Sequence, residues 1–355
     1  MGTSGGEREN IAKMAEKISD DIFKFFRWKK VGVPNTNFEC TDPSDHSKDK
    51  DSKSHTHPVD TVFCYYDPYI KKQVYLNTDL KSYKSNSITQ KMIREALTSL
   101  AQTIDCCRNS DQWVTRYVST ERNWEVRGFL FVYNNDGQFD RNFYNYINGS
   151  FNPITKKTKN TAIDLTKVPI KKDQKIHIAD PKSINYFNTI CNDIKHLAYN
   201  DILEKDSYDF FYPDKTRIKA ETTNGKSAAT IEKLMSPFMI LRHPLILDSD
   251  KSRLNGEGYI IYYNRTGKNN LEFVYLLDLL SSYQILRPGN KVRVRVANQD
   301  SHSEATANFN TAVETCALNW GFCEERKEQL KSIEFEVLTT KIEVYSETAV
   351  GWGVQ

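Results

Sequence analysis

The chain has 355 residues, of which 39% are hydrophobic and 27% charged, with a formal net charge of +3. That length suggests about two domains, with enough chain for a core of normal size. The near balance of charge excludes a global basic field, so any binding of nucleic acid must come from local clusters.

In chain order, the apolar spacing of Ile11, Ala15, Ile18, Ile22, Phe25 and Phe26 predicts a helix over Glu9–Arg27. Glu16 lies in a row with Ala12, Ser19 and Phe23, bordering the buried side. Trp28 to Val33 leads into a short strand or loop. Residues 41–57, T-D-P-S-D-H-S-K-D-K-D-S-K-S-H-T-H, are polar and low in complexity, and read as a mobile surface loop. Two strands follow, Val59–Tyr66 and Gln73–Tyr83, with the turn signal Asp67-Pro68 between them. Ser87 and Gln90 fit a capping box for a helix over Ile88–Cys107. A continuous apolar strand, Val126–Tyr133, suits burial on both faces. A short helix near Asn142–Ile147, a basic loop over 150–173, a strand over Lys175–Ala179 and a helix from Asp180 to about Asn200 complete this part.

That order predicts an α/β domain with a mixed sheet flanked by helices, over residues 1–200. Residues 201–236 read as a connector. A C-terminal α+β domain is expected over 237–355. Its strands lie near Phe238–Leu247, Glu257–Asn264, Leu271–Leu277, Lys291–Ala297, Ile333–Leu338 and Lys341–Tyr345, with a helix over Ala305–Gly321. The sequence shows no internal repeat.

Seven cysteines, at 40, 64, 106, 107, 191, 316 and 323, form no C-x-x-C pair. They read as neither a disulfide framework nor a zinc ribbon, and with no signal peptide they point to a reducing cytoplasm. The longest apolar run, Leu271–Leu286, is interrupted by Glu272, Asp278 and Gln284, so no membrane span is expected. His46, His55 and His57 invite a metal reading, but a loop this polar offers nothing to orient imidazoles. Asn224-Gly225-Lys226-Ser227 mimics the end of a phosphate-binding loop, but position 220 is Ala where that pattern needs Gly.

The stretch with chemistry in it is His57–Tyr83. On the second strand Val74, Leu76, Thr78, Leu80 and Ser82 face one way, and Tyr75, Asn77, Asp79, Lys81 and Tyr83 the other, because strand side chains alternate. Asp79 and Lys81 are therefore neighbours on one surface, and Asp60 opens the preceding strand. Hydrolysis of a phosphodiester needs a nucleophilic water and neutralised phosphate charge. A hard divalent cation on two carboxylates serves both needs. Lys81 would orient the water or stabilise developing charge. The bland alternative makes Asp60 a strand cap and Asp79 and Lys81 exposed pleat residues.

A helix carrying Glu16, then Pro58-Val59-Asp60 on one strand and Asp79-Leu80-Lys81 on the next, resembles the PD-(D/E)xK nuclease superfamily, the restriction-endonuclease-like fold. The resemblance covers about residues 9–200. It implies a Mg²⁺-dependent endonuclease, with Mn²⁺ as a substitute. Asp60, Asp79 and Glu16 would be the metal ligands, Glu9 standing in for Glu16, and Lys81 would act on the water or the transition state. Gln90 is similar to a glutamine of some branches, a position the capping box explains as well. Asn77 lies on the active face. The substrate implied is DNA, held by Arg27, Lys29, Lys30, Lys156 and Lys157, although each basic cluster, Lys291–Arg295 included, also reads as a solvated face. Members resembling this arrangement serve in prokaryotic anti-phage defence with a partner protein that controls cleavage, so a homo-oligomer or hetero-complex is expected. The alternatives are an inactive nuclease-fold module that binds nucleic acid or protein, and an RNase acting on structured RNA.

Overall fold

The computed structural model describes residues 5–47, 55–119, 123–152, 157–160, 162–214, 226–246, 253–321, 323–345 and 352–354. The chain divides into two units, Met1–Ile184 with Glu343–Gln355, and Asn185–Ile342.

The first unit opens with α1, Gly5–Phe25. Its stripe of Ala15, Ile18, Ile22 and Phe23 is buried. Phe23 stacks on Trp28 with ring centroids 4.3 Å apart, and meets Phe63, Phe129 and Phe131 edge-on. These offset and edge contacts fix α1 on one face of the central sheet. β1 (Lys29–Val31), β2 (Thr36–Glu39) and the single-turn helix α2 (Pro43–His46) follow. Next come β3 (Thr56–Val59), β4 (Thr61–Asp67) and β5 (Lys72–Tyr83). Helices α3 (Gln90–Cys107) and α4 (Asp111–Tyr117) precede the long strand β6 (Trp124–Asn134). α5 (Tyr144–Asn148), the paired strands β7 (Ser150–Asn152) and β8 (Lys157–Asn160), and β9 (Ile176–Ala179) lead to α6 (Pro181–Tyr199). Proline at the first helical position of α6 costs no helical hydrogen bond.

The sheet order is β1-β4-β5-β6-β9. The first two pairings are antiparallel and the last two parallel. This is the mixed α/β sheet that the element order predicts. α3 covers the face opposite α1, where Ile93, Leu97 and Leu100 pack with Leu130 and Val132. Gly128 permits that approach, since a Cβ there would lie 3.0 Å from Leu100 Cγ. Beside it, Tyr75, Val62 and Cys64 pack with Trp113 of α4 and with Cys106 and Cys107.

The second unit, which takes in most of α6, contains β10 (Asp209–Phe210), α7 (Ile231–Leu234), β11 (Phe238–Ile246), β12 (Arg253–Tyr263) and α8 (Asn270–Ser282). β13 (Lys291–Val296), α9 (Ala305–Asn319), α10 (Glu324–Lys331) and β14 (Glu334–Val337) complete it. Its sheet runs β10-β11-β12-β13-β14, again with two antiparallel and then two parallel pairings. The second unit thus repeats the strand order and directions of the first, a repetition invisible in the sequence. Leu276, Leu277, Leu280, Val294 and Phe309 fill its core. β15 (Glu343–Tyr345) and β16 (Trp352–Val354) pair with each other in the returning tail, where the Tyr133 hydroxyl donates to the Glu343 carbonyl at 2.9 Å.

Several expectations are corrected. The strand expected over Val59–Tyr66 is two strands, broken by a bend at Asp60. The cap of α3 is Thr89, whose hydroxyl accepts from the Met92 amide at 3.3 Å, and Gln90 is the first helical residue. Leu271–Leu277 is helical, because Phe273, Leu276, Leu277 and Leu280 are buried at helical spacing while Leu271 and Tyr275 are exposed. The stretch 41–57 is not a featureless loop. It contains α2 and the first half of β3, and His46 and His57 are buried, while residues 48–54 lie outside the described residues. Residues 224 and 225 of the mimic of a phosphate-binding loop also lie outside them. Arg293 and Arg295 of the basic strand are buried ion-pair partners rather than a solvated face. Among the described residues no helix is long and apolar enough to cross a membrane.

Candidate active site

β4 and β5 are paired so that Thr61 lies opposite Thr78. One step further the ladder ends at Asp60, opposite Asp79. Asp60 sits at the bend where β3 gives way to β4, so its carboxylate is free of strand alternation and turns back to the neighbouring strand. There its Oδ2 accepts from the Leu80 amide at 2.7 Å. That bond fixes the acid against the backbone of β5. The carboxyl groups of Asp60 and Asp79 come within hydrogen-bonding reach of one another.

Asp79 and Lys81 lie two apart on β5, and the Lys81 ammonium donates to Asp79 Oδ1. Both side chains keep some access to solvent, Asp79 at 16% and Lys81 at 29%. Burial pushes the Asp79 carboxyl up, to about 6, and the Asp60 charge adds to it, although Lys81 pulls the other way. Burial also disfavours the Lys81 ammonium, but Asp79 and Asp60 outweigh it and hold its pKa above the ordinary lysine value. Two acids crowded in a partly dry niche with one cation leave excess negative charge. A divalent cation would relieve that excess, and hard carboxylate oxygens are the donors that Mg²⁺ or Mn²⁺ takes. The residues therefore fit the group.

The other expected site residues fall elsewhere. The Glu16 carboxylate accepts from Lys30 at 2.8 Å, and Lys30 also binds Asp20 at 2.8 Å. α1 packs on the face of Phe63, Phe129 and Phe131, whereas Asp79 and Lys81 share the pleat parity of Tyr75, packed with Trp113 on the other face. The contacts of Glu16 thus run to Lys30 and not to the acid pair. Asn77 follows the parity of Asp79 but is buried, and its Oδ1 accepts from the Trp113 indole at 3.2 Å. It is a packing residue that anchors α4 beneath the site. Gln90 lines a cleft of about 360 Å³ with Lys91, Arg94, Lys167 and Asp164, the last two paired at 3.1 Å. The sequence reading missed this cationic group because Lys167 reaches it from a segment far along the chain.

Of the basic residues expected to hold nucleic acid, Lys30 is committed to two carboxylates. Lys29 is exposed on the edge strand β1, and Arg27 stands at the turn after α1 with a positive φ of 65°. Lys156 lies outside the described residues, and Lys157 is in β8.

The second unit offers a comparison by register. Its ladder between the corresponding strands begins at Phe238 opposite Tyr263, as that of the first begins at Thr61 opposite Thr78. Pro237, Asn264 and Thr266 then stand where Asp60, Asp79 and Lys81 stand. The acid pair has no counterpart at those positions.

Comparison with known proteins adds the family. A family model described as the GAPS4 protein PD-(D/E)XK nuclease domain matches residues 1–183, just over half of the 355 residues. No curated protein and no solved structure matches the chain. The matched region contains Asp79-Leu80-Lys81, which fits the second half of the signature in the family's description, and Pro58-Val59-Asp60, which departs from its first half by one residue between proline and aspartate. The chain belongs to the family of the GAPS4 protein PD-(D/E)XK nuclease domain.

Proposed function

We propose that the chain is a Mg²⁺-dependent endonuclease that hydrolyses DNA phosphodiester bonds as an effector of prokaryotic anti-phage defence. The observation that carries this reading is the meeting of Asp60 and Asp79 with Lys81 at one end of the β4–β5 pair. A divalent cation held by Asp60 and Asp79 would supply an activated water and neutralise phosphate charge. The Leu80 amide presents the Asp60 carboxylate in one orientation, so little reorganisation is needed when the ligand arrives. Lys81 keeps its proton at neutral pH and acts as a fixed positive charge beside Asp79, where it stabilises the extra negative charge of the transition state.

The cleft lined by Lys91, Arg94 and Lys167, with Asp164 paired to Lys167 at 3.1 Å, keeps a net positive charge that supports a path for the phosphate backbone. Lys29 supplies charge on the edge strand β1, and Arg27 in the turn before it. The cysteines at all seven positions are unpaired, which agrees with a reducing cytoplasm. Control of cleavage by a partner protein, in a homo-oligomer or hetero-complex, belongs to the same proposal.

The test is cleavage of plasmid DNA by the full chain with Mg²⁺, alongside Lys81→Ala. Removing one preorganised cation is expected to lower the rate roughly 10²-fold or more, while binding of DNA in Ca²⁺ stays within a factor of a few. Equal cleavage by Lys81→Ala and wild type would remove Lys81 from the chemistry. Cleavage of structured RNA but not DNA would replace the substrate.

A further inference from the structure

Four side chains that the sequence scatters over 67 positions converge in the first unit. Cys40 follows β2, His46 ends α2, His57 lies in β3, and Cys106 is in the last turn of α3. All four are buried, and one ligand atom from each lies within 4.8 Å of the others. Cys40 Sγ and Cys106 Sγ are 3.6 Å apart, and His46 Nδ1 is 3.4 Å from the first and 3.3 Å from the second. His57 Nε2 is buried without a hydrogen-bond partner. From these contacts we propose a closed Cys₂His₂ zinc site formed by Cys40, His46, His57 and Cys106.

The distances fit a tetrahedron. An edge is about 1.6 times the bond length, so Zn–S of about 2.3 Å and Zn–N of about 2.0 Å give edges of roughly 3.8 Å between sulfurs and 3.5 Å between sulfur and nitrogen. The observed separations match within the allowance for closure onto an ion. The same 3.6 Å is far beyond a disulfide bond. Two thiolates and two neutral imidazoles neutralise Zn²⁺, which permits full burial of the group. Soft sulfur with imidazole in a closed tetrahedral set selects zinc over the hard cations suited to the acid pair.

The surroundings are those of a metal centre. The Thr41 amide donates to Cys106 Sγ and the Asp42 amide to Cys40 Sγ, both at 3.4 Å, so each sulfur is held by a backbone donor. The outer nitrogen of His46 faces Asp105 Oδ2 at 3.5 Å, and Asp105 is itself held by Lys171 at 2.5 Å. The Thr103 hydroxyl lies 3.4 Å from the outer nitrogen of His57. Such outer partners orient ligating imidazoles. The site ties the β2–β3 ribbon and α2 to the end of α3. His57 stands three residues before Asp60, so the ion would anchor the segment that presents the first acid of the active site.

The test uses the full chain purified under reducing conditions. Elemental analysis is expected to find one zinc ion per chain. Replacement by Co²⁺ is expected to give the visible d–d absorption of a tetrahedral ion with a thiolate-to-cobalt charge-transfer band. Cys106→Ser and His57→Ala should each lower zinc content at least tenfold. Cys64→Ser removes a buried cysteine outside the group and should keep it. Asp79→Asn should also keep it, which separates this ion from any held by the acid pair. Wild type without zinc and without the thiolate band on adding Co²⁺ overturns the proposal, even where the variants fail to fold. So does zinc retained by Cys106→Ser, zinc lost from Asp79→Asn, or a Cys40–Cys106 disulfide in the reduced preparation.

Discussion

Asp79→Asn is the perturbation with the most decisive sign. In the metal-free fold the Asp79 carboxyl titrates at about 6 against an ordinary value of 3.8, because burial and Asp60 together outweigh Lys81. An acid whose folded pKa is raised is destabilising when ionised. The deficit is absent below pH 3.8, grows between 3.8 and 6, and is complete above 6. At pH 7.5 it amounts to about 3 kcal/mol, from 1.36 kcal/mol per tenfold in proton affinity. Asparagine mimics the protonated acid, and the attraction lost from Lys81 is already included in that figure. The variant should therefore be more stable than wild type by up to about 3 kcal/mol, roughly 6–12 °C in melting temperature for a unit of this size. The assay is unfolding after dialysis into buffer free of divalent cations, followed by the emission of Trp28, Trp113 and Trp124 in the first unit. Repeated at pH 4, the gap should close. Added Mg²⁺ should stabilise wild type and not the variant. A variant less stable than wild type at pH 7.5, or a gap that does not change with pH, would refute the account of crowded carboxylates.

Two further outcomes follow from the same physics. Cation and proton compete for Asp79, so Mg²⁺ affinity, measured by calorimetry, should rise with pH up to about 6 and level above it; a flat profile from pH 5 to 8 would place the ion elsewhere. In the second unit, Asp193 accepts from Arg295 at 2.6 Å and from the Tyr262 hydroxyl at 2.8 Å. Asp193→Ala leaves a buried guanidinium short of its partner and should cost roughly 3–5 kcal/mol in urea unfolding, whereas a loss under 1 kcal/mol would show that water replaces the carboxylate.

What was legible in the sequence follows from where the determining interactions lie. β5 alternates because one face packs under α1 and the other under α3 and α4, so its period of two survives in the residues and positions Asp79 and Lys81 without other knowledge. Asp60 could be named as an acid near a strand start, but not as the bend between two strands. That bend exists because β3 pairs with β2 while β4 pairs with β5, a choice of partners that no local pattern contains. The α8 segment was misread because a run as apolar as Leu271–Leu280 suits a buried strand and a buried helix alike. The helical spacing of Phe273, Leu276, Leu277 and Leu280, with Asn269 as the cap, was the signal available. α4 and α10 are short, and α10 is so charged that its helical period carries little contrast. His46 and His57 look like loop histidines in sequence because their own neighbours are polar. The groups they meet, Phe38, Thr103 and Cys106 among them, come from elsewhere in the chain, Cys106 lying 49 residues beyond His57.

The two units show how little of this chemistry is owed to the fold itself. Both build a sheet with the same order and directions, yet Asp60, Asp79 and Lys81 of the first correspond by register to Pro237, Asn264 and Thr266 of the second. In the first unit the strand charges crowd where the antiparallel pair ends and stay reachable from solvent. In the second, Arg295 is neutralised by Asp193 and Glu336, and Arg293 by Glu334. Opposite charges matched in this way fix packing and leave little net charge to draw a phosphate or a cation. The acid pair of the first unit is the opposite case. It has more negative charge than Lys81 can balance, which is a cost to the fold and the condition for binding a divalent ion. Repeating the topology therefore does not repeat the site, and the hydrolytic chemistry proposed above is assigned to the first unit, where the carboxylates are left incompletely paired.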